Sequence, residues 1–518
     1  MLLTALDFNI IATAVPTISS EFQEYSKSAW LGTGFLVSFA LVLPIYSKLG
    51  VVFGNGVMFN ISTLIFTLGS GLCGGSKSMD MLIASRVVQG IGGGGIYGLV
   101  NVRKTPLLFL LGILADHTAG YYNRPRTLER RREVSIHHRL DLGTGRCCWT
   151  SSWRRLFSVC PITTRTKSSS DIYFRYATWR WCFYINLCIS PISLIISIFA
   201  LKLPKPPGGK LKERFLQLDY LGILVIVGGT VCILLGVSWG GNTFAWSDSR
   251  VVGCLVGGFV LLALFIFIER RVRDPIIDPS LFRNHTVLAI TAAEFFYGAN
   301  LLGLMYYVPQ FFQLVFGDSA TLSGVGLLPM MLGLGIGNPI AAFITSRYEV
   351  SLVNAKVGAA LQVLASGLMA RWNAHTSRAE AVVLLIILGM GQGAAMSGLL
   401  LSAQVATTPA LVGIVTGLAI FVQAVGDIFG VALFAAVYIN KLWASLSDLA
   451  LSPGQIEEIL RNVQSIKHSY SPEFRAQIVN TYATSMRNGW WLMSACAGAL
   501  LLLIFLAKQH KFQTGLST

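Results

Sequence analysis

The chain alternates between long apolar stretches and short polar connections, a pattern that predicts a bundle of membrane-spanning helices. Each apolar stretch is roughly 17 residues or longer, enough to cross about 30 Å of hydrocarbon as a helix. Lipid offers the backbone no hydrogen-bond partners, so such stretches must be helical. We expect helices at Met1–Ser19, Trp30–Tyr46, Val51–Leu72, Met79–Val100, Trp181–Leu203, Leu221–Trp239, Val251–Ile268, Val287–Phe316, Leu322–Ile344, Val353–Ala370, Ala379–Val405, Leu411–Ile439 and Trp490–Ala507.

The composition fits a chain that lies mostly in lipid. Of its 518 residues, 53% are apolar and only 12% are charged, whereas a soluble protein carries roughly a quarter charged residues. The nine cysteines are scattered without metal-ligand spacing, so we expect no disulfide framework, no metal site and no cofactor. The apolar runs contain no histidine cluster and no nucleophile–base signature, which argues against a membrane-embedded enzyme.

Basic residues in the connections predict the orientation of the helices. They crowd two short loops and the C-terminal tail, which the positive-inside rule places in the cytoplasm. These residues are Lys202, Lys205, Lys210, Lys212, Arg214, Arg270, Arg271, Arg273, Arg283, Lys508 and Lys511. The connection Gly240–Ser249 contains no Lys or Arg, and the long stretch Ala444–Asn488 has mixed charge, so both are expected outside.

One part of the chain does not fit this pattern. Residues 101–180 hold 15 of the basic residues against 5 acidic ones. The orientation nevertheless requires one crossing between Val100 and Trp179, and the apolar stretch Thr105–Ala115 is too short to span. A nucleic-acid-binding patch is one interpretation of the basic run. We favour an altered reading frame, and we expect no nucleic acid partner.

Translation of the same codons one base later restores a membrane helix. Trp149 is encoded only by TGG, and the codon of Thr150 begins with A. The last two bases of the first codon and the first base of the second therefore read GGA, which encodes glycine. The stretch Cys147–Arg155 can then encode VVGPLLGGA, which is apolar and rich in glycine. A single-base slip, with a retained intron over Ser158–Tyr176, would explain the segment.

Several motifs resemble those of a known family. The run at 86–94 reads RVVQGIGGG and matches the fourth-helix pattern R-x-x-Q-G-x-G-x-G. Others are LDFNII at 6–11 followed by Pro16, WRWCFYIN at 179–186, LDYLG at 218–222, and the hidden GPLLGG. The chain thereby resembles the fourteen-helix drug:proton antiporter branch of the major facilitator superfamily, of the fungal multidrug and toxin efflux type. The resemblance implies an all-α fold of two six-helix bundles plus two extra linking helices, with helix five altered here.

The resemblance also divides the chain. Residues 1–100 would hold helices one to four, 101–178 the altered segment, and 179–203 helix six. The range 204–285 would hold a cytoplasmic linker and the two extra helices, and 286–442 the C-terminal bundle. The range 443–489 would be an extracellular loop, and 490–518 the last helix with a cytoplasmic tail.

The loop between helices two and three departs from the family pattern, which usually reads GKLSDxFGRK. Here it reads SKLGVVFGNG at 47–56, so Lys48 and Gly54 are kept while Val51 and Asn55 replace the two charged gate residues. That loop normally latches the two halves of such a transporter on the cytoplasmic side. We therefore expect a weakened gate.

Four charged residues within predicted helices are candidates for proton coupling, because charges inside a membrane are costly and usually functional. They are Asp7, Arg86, Glu294 and Asp427. For each there is a simpler interpretation: Arg86 could extend its charge toward the membrane surface, Asp7 could make a helix-packing hydrogen bond, and Glu294 and Asp427 could lie near helix ends.

Other polar and aromatic residues of the predicted helices could line a cavity for a planar, apolar ligand, although packing between helices is the more common role of such side chains. The candidates are Gln89, Phe296, Tyr297, Asn300, Tyr307, Gln310 and Gln423. Gly90, Gly92 and Gly94 are expected at close helix contacts. Gly90, Gly92 and Gly95 also fit the dinucleotide pattern G-x-G-x-x-G, but that site requires a preceding strand, which a long apolar helix excludes.

The resemblance predicts export of a hydrophobic small molecule, a drug, toxin or secondary metabolite, in exchange for protons by alternating access. The expected partners are this substrate, protons and the lipid bilayer, with the protein a monomer in the plasma membrane or in a vacuolar or vesicle membrane. Two alternatives remain open: a non-functional or non-transporting paralogue that arises from the altered segment, and a membrane receptor.

Overall fold

Helices account for nearly all of the protein that the computed structural model describes. The described residues are 18, 21–22, 28–101, 179–199, 219–240, 244, 246–272, 275–318, 320–408, 411–449 and 472–510. The only β geometry within them is an isolated bridge between Gly240 and Phe244. The predicted all-α fold class is confirmed.

The described helices follow one another in chain order. They are α1 Ser28–Phe53, α2 Asn55–Gly74, α3 Met79–Asn101, α4 Trp181–Phe199, α5 Tyr220–Trp239, α6 Ser249–Glu269, a 3-10 turn Pro279–Arg283, α7 His285–Val315, α8 Ala320–Val325, α9 Leu328–Tyr348, α10 Ser351–Met369, α11 Arg378–Val405, α12 Val412–Ser447 and α13 Pro472–Leu506.

Eleven helical stretches among the described residues are long and apolar enough to cross a membrane. The helix that carries Arg86, α3, is not one of them, although it lies among neighbours that are. The predicted helix Met1–Ser19 and the helix hidden in 101–178 fall almost entirely outside the described residues. The count of fourteen therefore stays a prediction.

Several predicted boundaries differ from the structure. The helix predicted at Trp30–Tyr46 continues as α1 to Phe53, through most of the predicted gate loop. The last helix begins at Pro472 instead of Trp490, and α12 continues beyond Ile439 to Ser447. The segment 443–489, expected to be a loop, is thus helical at both ends. The predicted helix Leu322–Ile344 is split into α8 and α9, and Pro329 lies in the first turn of α9, where its missing N–H is harmless.

The extensions of α12 and α13 are amphipathic. Ile478, Tyr482 and Met486 recur every four residues along α13, and all three are buried in one cluster with Leu442 and Leu446 of α12. Hydropathy marks only the part of a helix that lies in lipid, so it misses a continuation whose outer face is polar.

The helices form two bundles. In the N-terminal half, α3 packs between α1 and α2, and α4 packs on α2. In the C-terminal half, α11 packs between α9 and α10, while α7 packs on α12 and α13. The halves meet where α1 contacts α12. The hairpin α5–α6 lies beside this junction, because α5 contacts both α1 and α12.

Large apolar side chains are exposed on the outer faces of several helices. Ile192 and Ile195 of α4, Leu224 of α5 and Leu502 of α13 are each more than half exposed. A protein surrounded by water rarely presents such continuous apolar surface. These faces are suited to contact with lipid tails.

Candidate functional site

Arg86 lies inside the N-terminal bundle, because α3 carries it between α1 and α2. Only 2% of the residue is exposed. Its Nε donates a hydrogen bond of 3.1 Å to the carbonyl oxygen of Leu31, and its Nη1 donates one of 2.7 Å to Gln89 Oε1. The guanidinium also lies 4.2 Å above the ring of Phe35, a favourable cation–π position. These contacts hold the guanidinium inside the bundle.

Gln89 extends this polar contact across the bundle. Its Nε2 donates a hydrogen bond of 2.9 Å to Ser70 Oγ of α2, and the same oxygen accepts one of 3.4 Å from Asn186 Nδ2 of α4. The thiol of Cys73 lies 3.5 Å from Gln89 Oε1. A buried network therefore runs from α1 through α3 and α2 to α4.

Ser70 was not among the sequence-predicted site residues, and Asn186 was noted only within the WRWCFYIN motif. No periodicity of α2 singles out Ser70, because serine is common in membrane helices and its partner lies on another helix. The motif that ends at Asn186 was the one available signal.

The glycines of α3 alternate between two neighbouring helices. A Cβ at Gly90 would collide with Ser38 Oγ, and one at Gly94 would lie 2.5 Å from the carbonyl oxygen of Phe39, both on α1. A Cβ at Gly92 would lie 2.6 Å from Phe66 Cα on α2. The glycines thus let α3 approach both neighbours at backbone distance.

Glu294 and Asp427 lie on facing turns of α7 and α12. The two helices cross closely there: a Cβ at Gly298 would lie 3.0 Å from the backbone nitrogen of Asp427, and one at Gly426 would collide with the carbonyl oxygen of Phe295. Glu294 is 3% exposed and is close enough to Asp427 for the two carboxyl groups to interact electrostatically. Asp427 Oδ1 is buried and, among the described residues, has no hydrogen-bond partner.

Three of the predicted cavity residues are tied to neighbouring backbone. Tyr297 is fully buried, and its hydroxyl donates to the carbonyl oxygen of Gln392 at 3.2 Å. Asn300 is likewise buried, and its Nδ2 donates to the carbonyl oxygen of Met493 at 2.9 Å. Such bonds join α7 to α11 and α13.

Tyr307 belongs to an aromatic cluster. Its ring stacks on Phe434 with centroids 4.0 Å apart, and its hydroxyl donates to the carbonyl oxygen of Val431 at 3.3 Å. By contrast, Phe296, Gln310 and Gln423 keep partly exposed side chains. Of the predicted residues on α7 and α12, these three remain available to line a cavity.

The predicted gate loop contacts residues far along the chain. Lys48 Nζ donates a hydrogen bond of 2.8 Å to the carbonyl oxygen of Pro275, which lies beyond α6. Gly54 has a φ of 92°, a conformation that favours glycine, and it precedes the first residue of α2, Asn55. The side chain of Val51 and all of Asp7 lie outside the described residues.

Sequence reasoning missed Gln392. This residue of α11 is fully buried, and within the described part of the chain neither atom of its side-chain amide has a hydrogen-bond partner. It lies between Gly391 and Gly393, in a run whose glycine spacing repeats that of α3. That repetition was the available signal.

The site holds buried charges and amides but no cluster suited to metal binding. The described residues contain no group of three or more His, Cys, Asp or Glu that could hold a metal ion. The arrangement is two helix bundles that meet at α1 and α12, with a buried cation in one and buried carboxyl groups in the other. These features are those of a polytopic membrane protein with charged groups inside its helix bundles.

Comparison with known proteins identifies the family. Residues 159–459 match the family described as fungal trichothecene efflux pump (TRI12), and residues 1–102 match the Major Facilitator Superfamily. The chain belongs to the TRI12 family of major facilitator transporters, so the predicted superfamily and efflux type are confirmed.

Curated relatives and solved structures agree. The chain is 29% identical to the MFS-type transporter ucsD of Acremonium sp, over 100% of this chain and 83% of the relative. It is 28% identical to the efflux pump FUS6 of Gibberella moniliformis, over 100% of this chain and 87% of that protein. The human organic anion transporter MFSD10 (TETRAN) superposes with a TM-score of 0.52 at 13% identity, over 98% of this chain and 97% of that one. An auto-inhibited POT family peptide transporter gives the same score, also at 13% identity, over 100% and 97% of the two chains. At such identity the two structures show the fold alone.

Proposed function

We propose that the protein exports a hydrophobic secondary metabolite or toxin across the plasma membrane in exchange for protons. The names of its relatives support the substrate class, since the matched family is described as a trichothecene efflux pump and FUS6 as an efflux pump. The protein would act as a monomer in the lipid bilayer, with the substrate and protons as its partners.

The observation that carries the proton coupling is the pair Glu294 and Asp427. Carboxyl groups inside a membrane protein are costly and commonly form proton pathways. Here two of them lie near the close crossing of α7 and α12, where the charge of Asp427 acts on Glu294. A proton that enters from the outside would occupy this pair and leave on the cytoplasmic side. The described residues do not include Asp7, which stays a separate candidate.

Alternating access would arise from rocking of the two halves at the contact of α1 with α12. Ser47 of α1 lies directly against Gly417 of α12, where a Cβ would collide with its hydroxyl oxygen. Separation of Ser47 from Gly417 would open the protein on its cytoplasmic side. The positive-inside rule places the basic loop after α6 on that same side. Arg86 would then influence the charge of acceptable substrates or the release of the proton.

The test uses the full-length protein in liposomes that contain a pH-sensitive dye, with a radiolabelled trichothecene as the probe. A pH gradient should drive accumulation of the probe, and addition of the probe should change the luminal pH. The variants Glu294→Gln and Asp427→Asn should lose gradient-driven accumulation while they keep exchange of labelled for unlabelled probe, because exchange needs no net proton movement.

Two exposed carboxylates serve as matched controls. Glu380 lies in the first turn of α11, and Asp448 lies directly after α12; both are exposed. The variants Glu380→Gln and Asp448→Asn should transport like the wild type. A luminal pH that does not respond to the probe would reject proton coupling. Probe exchange that a pH gradient does not affect would show that the protein is an uncoupled facilitator.

A further inference from the structure

One peptide group is held from both sides by charged residues of different helices. Lys48 Nζ of α1 donates a hydrogen bond of 2.8 Å to the carbonyl oxygen of Pro275. Glu269 Oε1, at the end of α6, accepts one of 3.1 Å from the backbone N–H of Ile276. These two backbone atoms belong to the same peptide bond. The Lys48 cation therefore meets its negative end and the Glu269 carboxyl group its positive end, and the Lys48 hydrogen bond is charge-assisted.

The held segment is fixed against both halves of the protein. Ile276 and Ile277 are 2% and 6% exposed, and they pack in one cluster with Val225 of α5 and Leu418 of α12. Glu269 is itself only 4% exposed. The segment thus joins the α5–α6 hairpin and α12, while Lys48 adds the N-terminal half.

Charged groups of both signs lie around Glu269. Asp219 caps α5 by accepting a hydrogen bond of 2.8 Å from the N–H of Gly222, and it lies near enough to Glu269 to repel it. Lys48 attracts the same carboxylate. The neighbouring Arg271 instead stacks over Phe267 at 4.1 Å.

We infer that Lys48 and Glu269 form a latch on the Pro275–Ile276 peptide that holds the N-terminal half against the α5–α6 hairpin and α12. Val51 and Asn55 leave the gate loop without the two other charges expected there, and Lys48 instead binds the peptide group that the Glu269 carboxyl group of α6 also binds. Both residues are positioning residues of the transport cycle, because the contact must break when α1 and α12 separate. Only the statement that the contact breaks during transport rests on the proposed function.

The latch itself is tested without substrate or gradient, by hydrogen exchange of the purified full-length protein in nanodiscs. Glu269→Ala should speed exchange of the peptide that contains the Ile276 amide about tenfold or more, because a buried hydrogen bond to the Glu269 carboxyl group protects it. Lys48→Met should speed it to a lesser degree, and Glu269→Gln, which keeps an acceptor, less than Glu269→Ala. The matched control is Asp278→Ala, since Asp278 also accepts a backbone hydrogen bond, from the N–H of Ser280, at an exposed position.

A second measurement asks whether the latch controls opening. Ser47→Cys places a thiol at the buried contact of α1 with α12, and mass spectrometry follows its labelling by a polar maleimide. Adding Lys48→Met or Glu269→Ala should speed labelling severalfold, and Lys48→Arg should restore the slow rate. The latch would be overturned if hydrogen exchange at Ile276 became faster while the labelling rate of Ser47→Cys stayed the same. Unchanged hydrogen exchange at Ile276 would overturn it as well. If the proposed transport function were wrong, both readouts would still respond while the liposome assay stayed silent.

Discussion

Gly92 provides a direct test of how α3 is packed, because an added methyl group has a definite obstacle. A Cβ there would lie 2.6 Å from Phe66 Cα and 2.7 Å from Phe66 Cβ. Carbon atoms in contact normally lie about 3.5–4.0 Å apart. The substitution Gly92→Ala therefore forces α2 and α3 apart by about 1 Å, and the obstacle is backbone, which cannot rotate away.

Two opposing free energies decide the result. Overpacking of this kind costs about 1–3 kcal/mol, while alanine gains up to about 1 kcal/mol over glycine in helix propensity. The net effect should be a loss of about 1–2 kcal/mol. Gly335→Ala is the matched control, because Gly335 lies on α9 with no atom within 4 Å of its added Cβ. It gains the propensity and meets no obstacle.

The assay is thermal denaturation in detergent at a fixed heating rate, since unfolding of a membrane protein is not expected to be reversible. Gly92→Ala should lower the apparent Tm by about 1–2 °C, whereas Gly335→Ala should leave it unchanged or raise it. Equal melting of Gly92→Ala and the wild type would refute the close contact. An equal drop in both variants would show that glycine itself, not its neighbour, matters.

Three further predictions concern charges and the reading frame. Arg86→Lys should lower the initial transport rate about tenfold or more, because a lysine cannot keep both the backbone contact and the bond to Gln89. Arg378→Ala should lower the apparent Tm by about 2–5 °C, since Asp318 is 5% exposed and loses two hydrogen bonds, and Arg378→Lys should recover part of this loss. Sequencing of the transcript should reveal a one-base slip and retained intron within 101–178; an unshifted message that yields folded, active protein would contradict the proposal.

Much of the fold could be predicted because the membrane imposes a simple rule. Backbone in lipid must be helical, so each long apolar stretch marks a helix, and the described helices follow those stretches in order. The rule fails where helices leave the lipid. The start of α13 at Pro472 and the end of α12 at Ser447 depend on contacts between two amphipathic extensions, and hydropathy does not register them.

The site could be predicted only in part. Arg86 and Gln89 are three residues apart on one helix, so their hydrogen bond follows from helix geometry. The partners on other helices, such as Ser70, depend on the register between helices, which a single sequence does not reveal. For the same reason, sequence alone could not tell that Tyr297 and Asn300 bond to backbone of α11 and α13, whereas Gln423 stays partly exposed.

The two halves share one packing design and differ in their charges. The helix α11 repeats the glycine spacing of α3, with Gly389, Gly391 and Gly393. Gly389 and Gly393 approach Met330 and Leu334 of α9. A Cβ added at Gly391 would lie 2.8 Å from the carbonyl oxygen of Gly358 on α10. Each glycine helix thus lies between two neighbours in the same way.

At the positions that correspond to Arg86 and Gln89, α11 carries Leu385 and Leu388, both fully buried in the apolar core. The C-terminal half places its charges on α7 and α12 instead, at Glu294 and Asp427. Packing needs the glycines in both halves, but it does not need a buried cation in one half and carboxyl groups in the other. Leucine fills these positions in the other half, so the charges that break the repeat are the residues to which the proposed transport function would assign a role.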